Sequence, residues 1–144
     1  MVEDPVSRET QTQREALFGS LVGAFQRRDF AAIEAVLSEH AVLMFAGSSE
    51  LAGSYCGVEE IDRYIVAVRD IVRPNGKTIA YTHRADEMVA SNEIGVFGRS
   101  GAVAMTMHIT LTFDRDKVAV VYVRPEDLEL FDRMLAPPAS LAST

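Results

Sequence analysis

Residues 102–113, AVAMTMHITLTF, limit what this chain can fold into more than any other stretch. From Met105 onward the alternation is unbroken. Met105, Met107, Ile109, Leu111 and Phe113 point one way, and Thr106, His108, Thr110 and Thr112 point the other. Side chains on a strand change face at every residue, so this is one long strand with a greasy face and a polar, β-branched face. The greasy face needs a cover, and the first half of the chain supplies it as helices. Leu17, Phe18, Leu21, Val22 and Phe25 recur at helical spacing after Asp4-Pro5, which reads as an N-cap and first helical position. Arg27-Arg28 suits the helix C-terminus. Asp29 caps a second, short helix with Phe30, Ile33, Val36 and Leu37 inward. A third helix spans 58 to about 72, with Ile61, Tyr64, Ile65, Val68 and Ile71 on one face, and residues 73–77 stop it and turn the chain.

The rest reads as strands. Residues 41–45 form a buried strand, 46–50 a turn, and 51–56 a brief strand or extended loop. After the third helix come a strand over 78–90, a turn at Ser91-Asn92 and a strand over 94–99. Ser100-Gly101 makes a hairpin into the long strand, 114–117 turns again, and 118–124 is the last strand. Pro125-Glu-Asp127 opens a short helix with Leu128, Phe131, Met134 and Leu135 inward. Helices first and antiparallel strands after is an α+β arrangement. We expect three N-terminal helices packed in the concave face of a curved antiparallel sheet, a cone-shaped α+β barrel with a pocket in its mouth. A single domain over 1–135 and a flexible C-terminal tail over 136–144 follow from length and composition.

The net charge of −7 argues against nucleic acid or an anionic membrane surface as partner, since both need a basic footprint. One cysteine, Cys56, leaves no internal disulfide and no multi-cysteine metal site. His40, His83 and His108 belong to three different elements and have no close His or Cys companion, so no metal and no cofactor are expected. No apolar run reaches the roughly 20 residues of a membrane span, and the acidic start lacks a signal-peptide pattern. The expected location is cytoplasmic.

Several stretches together resemble the nuclear transport factor 2-like superfamily, and within it the SnoaL-like, ketosteroid-isomerase-like small enzymes. They are Phe25-Gln-Arg-Arg-Asp-Phe-Ala-Ala-Ile33, Leu37-Ser-Glu-His-Ala-Val42, Gly57-Val-Glu-Glu-Ile61, Thr112-Phe-Asp-Arg-Asp-Lys-Val118 and Glu126-Asp127. The resemblance covers about residues 13 to 135; Asp116 stands where the family usually has glycine. It implies isomerase, cyclase or related chemistry on apolar ring systems, or simple ligand binding. The ketosteroid isomerase residues themselves are missing: its tyrosine, base aspartate and buried acid fall at Leu21, Phe45 and Ile109. None of these three can exchange a proton.

The same register sends Tyr81 and His83 inward on one strand face, roughly 7 Å apart. Tyr64 lies on the inward stripe of the third helix. These three are the candidate catalytic groups, because an imidazole beside a phenol could serve as an acid–base pair. A single histidine on a half-apolar strand is more commonly a satisfied core or pocket residue. The candidate substrate-binding lining is Leu21, Phe25, Phe45, Cys56, Met105, Met107, Ile109, Leu111, Val121 and Val123, with the methionines as adaptable filler. The expected partners are a hydrophobic small molecule and a second copy of the chain, docked through the sheet face bearing Thr106, His108 and Thr110. Three functions stay open: a SnoaL-like isomerase or cyclase on a hydrophobic ring-containing or polyketide-like substrate, a non-catalytic hydrophobic-ligand-binding protein, and a homodimeric scaffold with a filled cavity.

Overall fold

The computed structural model describes residues 6–98 and 101–136, apart from the side chains of 75–77. Helix α1 (Arg8–Arg27) opens where Ser7 Oγ accepts from the Thr10 backbone N–H at 3.1 Å, satisfying one of the orphan first-turn donors. The start anticipated at Asp4-Pro5 lies outside the described residues. Arg28 closes α1 in the left-handed region, φ 58°, with its N–H on the carbonyls of Ala24 and Phe25. Asp29 then accepts from the Ala32 N–H at 3.1 Å and starts α2 (Phe30–Val36), giving the helical hairpin read from the sequence. Next come β1 (Leu37–Phe45), β2 (Gly53–Cys56), α3 (Gly57–Val68), β3 (Val72–His83), β4 (Glu87–Gly98), β5 (Gly101–Asp114), β6 (Lys117–Pro125) and α4 (Leu128–Leu135).

The strands form one six-stranded sheet in the order β2-β1-β6-β5-β4-β3, and the helices pack on it in the cone-shaped α+β arrangement. The sheet is antiparallel but for one pairing: β1 and β6 run parallel, with Leu43 opposite Val121 and Phe45 opposite Val123. The chain leaves β1 through β2 and α3, completes the β3–β6 meander, and so returns beside its first strand in the same direction. Ser100-Gly101 was expected to form a hairpin; Gly98 and Gly101 are paired across it, and residues 99–100 lie outside the description. The anticipated tail lies there too, beyond Ala136.

Several boundaries differ from the sequence reading; β1 begins at Leu37, which the sequence placed on the second helix, and not at residue 41. Helix α3 stops at Val68, and residues 73–77 do not turn the chain. They belong to β3, whose register with β4 shifts between Pro74 and Thr78. The turn expected at Ser91-Asn92 falls instead between β3 and β4, at residues 84–86. There Arg14 of α1 donates to the carbonyls of Arg84 and Ala85, each at 2.7 Å, and its guanidinium stacks over Phe113. Ser91 and Asn92 run straight through β4, because each finds a side-chain partner on its own face. Ser91 Oγ meets His108 Nδ1 at 2.9 Å outside, and Asn92 Oδ1 accepts from Thr78 Oγ1 at 2.9 Å inside. Local turn preference loses to sheet pairing once those groups are satisfied.

The alternating stretch behaves as its pattern dictates. Met107 and Leu111 of β5 are buried among Met88, Ala90 and Ile94 of β4 and Val123 of β6, with Met105, Ile109 and Phe113 packed alongside. Phe18 of α1, Ile33 of α2, and Ile61, Ile65 and Val68 of α3 cover this face. Each such buried side chain contributes about 2 kcal/mol of transfer free energy. Helix α4 closes one end. Phe131 stacks on Phe45 with ring centroids 5.3 Å apart, and Asp132 accepts from the N–H groups of Ser48 and Ser49. Gly98 lets the backbone of α4 approach: a Cβ there would stand 2.6 Å from the Met134 carbonyl oxygen. No helix among the described residues is long and apolar enough to cross a membrane.

Candidate functional site

Between the helices and the inner face of the sheet lies a hollow of about 140 Å³. Of the residues the sequence named as candidate lining, helix α1 lends it Leu21 and Phe25, β5 lends Met107, Ile109 and Leu111, and β6 lends Val121 and Val123. Three other expected lining residues do not reach it. Phe45 is buried against Phe131 and Tyr64. Met105 packs at the margin of the core. Cys56 is exposed at the start of α3, where its N–H is held by Glu60 Oε1 at 2.9 Å.

Among the described residues two polar side chains touch the hollow, Tyr64 and Asn92. Tyr64 is fixed by its place on the inward stripe of α3, against Tyr55 with ring centroids 5.0 Å apart. Burial, and then the neighbouring Tyr55 hydroxyl, push the Tyr64 phenol far above its ordinary range. Tyr64 can donate a proton in a hydrogen bond but cannot act as a base. Asn92 is 7% exposed, the one polar side chain other than tyrosine buried to that degree among the described residues. The sequence placed it in a turn and so missed it. Its signal was the even spacing with Met88, Ala90, Ile94 and Val96, which puts all five on one strand face.

Tyr81 and His83 do share the inward face of β3, opposite Ala90 and Met88, but neither borders the hollow. Tyr81 meets Phe18 edge to face, centroids 6.2 Å apart, and Phe18 in turn lines the cavity. His83, with a side chain 9% exposed, joins Nε2 to Glu15 Oε2 of α1 at 2.7 Å, while its buried Nδ1 has no partner among the described residues. Glu15 is one residue from the Arg14 clamp, so the pair sits where α1 docks on the β3–β4 turn. Glu15 is a half-exposed helical acid, and sequence spacing gave no sign of its long-range contact. Cys56 on β2 and His83 on β3 occupy opposite edge strands of the sheet and make no thiol–imidazole pair. Among the described residues no cluster of His, Cys, Asp or Glu could hold a metal ion.

His108 lies on the outer face, with Ser91 at Nδ1 and Glu126 3.6 Å from Nε2. Thr106, Thr110 and Thr112 share that face and are half-buried, and Tyr122 of β6 is exposed opposite Thr110.

No family model and no curated protein matches the sequence. Solved structures do. A protein from a soil-derived mobile gene cassette superposes with TM-score 0.77 at 15% identity, covering 87% of this chain and 98% of that one. An NTF2-like protein from Burkholderia xenovorans gives 0.76 at 14% identity, covering 87% and 97%. TerC, co-crystallized with polyporic acid, gives 0.72 at 15% identity, covering 85% and 97%. At such identities the likeness is one of fold, and that fold is the nuclear transport factor 2-like one.

Proposed function

We propose that this chain, nuclear transport factor 2-like in its fold, binds a compact hydrophobic molecule in the hollow between its helices and sheet. The observation that carries this reading is the wall: a cavity of about 140 Å³ to which the described residues bring no carboxylate and no imidazole. Apolar cavities near 150 Å³ stay dry and accept benzene-sized guests. Drug-sized ligand pockets are larger, about 300–1,000 Å³, so the fitting ligand has one ring rather than a fused system. A thermal-shift panel of single-ring hydrocarbons and ketones tests it. A ligand bound only by the folded form raises the melting temperature with concentration, and a panel without any shift refutes the reading.

A SnoaL-like isomerase or cyclase is the second reading, and one observation favours it. His83, beside Tyr81, keeps a buried ring nitrogen without a partner among the described residues, while Glu15 holds the other nitrogen. A carboxylate-backed imidazole is a general base in form. For it to act on a guest in the hollow, which neither Tyr81 nor His83 borders, the guest or these side chains have to move. Tyr64 would then donate to a developing oxyanion, and the cavity wall would supply orientation. Turnover that survives both His83→Phe and Tyr81→Phe removes this version.

The partner we propose is a second copy, docked through the outer sheet face with Thr106, His108, Thr110 and Tyr122. A half-apolar, β-branched row with an exposed tyrosine suits a two-fold interface. Sedimentation of wild type as a monomer at micromolar concentration refutes it. A location in the reducing cytoplasm fits the lone exposed thiol of Cys56.

A further inference from the structure

We propose that Asn92 is the group that recognises the ligand, at the inner end of a passage between α1 and β3, and that it selects compact apolar molecules carrying one hydrogen-bond acceptor, such as a ketone oxygen. This rests on the binding reading above and adds the chemical class of the guest and its route.

The Asn92 amide is oriented by two neighbours. Oδ1 accepts from Thr78 Oγ1 at 2.9 Å, and Nδ2 lies 3.4 Å from the carbonyl oxygen of Ala90 on its own strand. The reverse orientation would set the amide oxygen against that carbonyl, acceptor against acceptor. An amide nitrogen has two N–H groups. One makes the long bond to Ala90, and the other has no acceptor among the described residues. A buried amide short of partners costs about 1–3 kcal/mol, and its strand neighbours Ala90 and Ile94 show that an apolar residue fits this face. The spare donor therefore points to an acceptor brought by the guest.

The position of Asn92 supports the same role. Together with Phe18 and Val22 it borders both the hollow and a separate depression of about 200 Å³ that opens between α1 and Thr78. Gly19 and Gly23 form the helix side of that depression. Glycine inside a helix is destabilising by about 0.5–1 kcal/mol against alanine. Packing does not demand either one. A Cβ on Gly19 would meet nothing within 4 Å, and one on Gly23 would meet only the end of the Arg27 side chain. Two glycines one turn apart keep the passage wide where side chains would narrow it.

The test compares two probes of matched shape, acetophenone and α-methylstyrene, which differ in carrying C=O or C=CH2. In wild type we expect acetophenone to gain, relative to Asn92→Leu, about tenfold in the ratio of the two dissociation constants. Thr78→Val, an exposed site whose loss frees the amide to rotate, should cut that ratio about threefold in a chain that folds whether or not Asn92→Leu does. Gly19→Leu should slow association and dissociation of acetophenone by the same factor, leaving the dissociation constant unchanged. If neither probe binds wild type, the binding reading fails and this proposal with it. If both bind and the ratio is unmoved by Asn92→Leu and Thr78→Val, the assignment of Asn92 alone is overturned. Rates unaltered by Gly19→Leu overturn the route.

Discussion

Val121→Phe should stabilise the unliganded chain and abolish its binding of small guests. Val121 lies on β6 with Leu43 on one side and Leu111 on the other, and its side chain borders the hollow. An empty apolar cavity is destabilising by about 24 cal/mol per Å³ relative to a filled one. For about 140 Å³ that comes to about 3 kcal/mol. The larger aromatic side chain adds carbons worth about 0.8 kcal/mol each when buried, so it can recover most of this before strain is counted. With imperfect rotamers the net gain should be about 1–2 kcal/mol. In a chain of this length that is a rise of about 3–8 °C in melting temperature. Urea unfolding should show a higher midpoint with an unchanged slope, because the surface exposed on unfolding is nearly the same. The thermal shift given by acetophenone should vanish in the variant. A loss of stability of about 1 kcal/mol or more would mean that the hollow is closed in solution and the ring is overpacked. That outcome refutes both the cavity argument and the ligand size drawn from it.

Three further outcomes follow. A double-mutant cycle of Glu15→Ala with His83→Phe should give a coupling of about 1 kcal/mol in stability, since the 2.7 Å contact joins a buried ring to a carboxylate 38% exposed. A coupling indistinguishable from zero by urea titration would remove the dyad as the tie between α1 and β3. Gly98→Ala should lower the melting temperature, by about 1–3 kcal/mol in stability, because its Cβ meets backbone of α4 at 2.6 Å; an unchanged melting curve would show that α4 does not sit there. Asp62 on α3 carries a carboxyl whose pKa is raised by burial first and then by the hydrogen bond and charge of Glu34 on α2. The folded chain therefore holds a proton that the unfolded chain releases. The associated stability is complete below the ordinary carboxylate range and is lost as pH climbs through the raised value. Asp62→Asn should flatten that decline in a series of melting curves; an identical slope in both chains would contradict it.

The fold was legible because its signals were periodic and redundant. The Met105–Phe113 alternation, the apolar stripes on α1 and α3, and the Asp29 cap each fixed an element without needing the others. The candidate site was legible where it rested on that same period. Met107, Ile109, Leu111, Val121 and Val123 face the hollow because strand geometry leaves them no other direction. Asn92 was lost because a Ser-Asn pair is a common turn signal and was weighted above the even spacing with Met88, Ala90, Ile94 and Val96; the partner Thr78 that holds its side chain lies 14 residues earlier. The Arg14 clamp on Arg84 and Ala85, which sets the true turn, is likewise a contact across some 70 residues. Tyr81 and His83 were given the correct face but not their distance from the hollow, since spacing on a strand does not say which helix side chains they meet, here Phe18 and Glu15.

The side-by-side alignment of β1 with β6 sets the order in which this chain can be completed. Its first strand waits on its last, some 80 residues later in synthesis, so a nascent chain ending before Lys117 carries β1 with one rim unsatisfied. Ring closure over that distance makes assembly slow, in the millisecond-to-second range typical of domains dominated by remote contacts. A C-terminal truncation that removes β6 should thus yield sticky, chaperone-dependent material rather than a smaller version of the same protein.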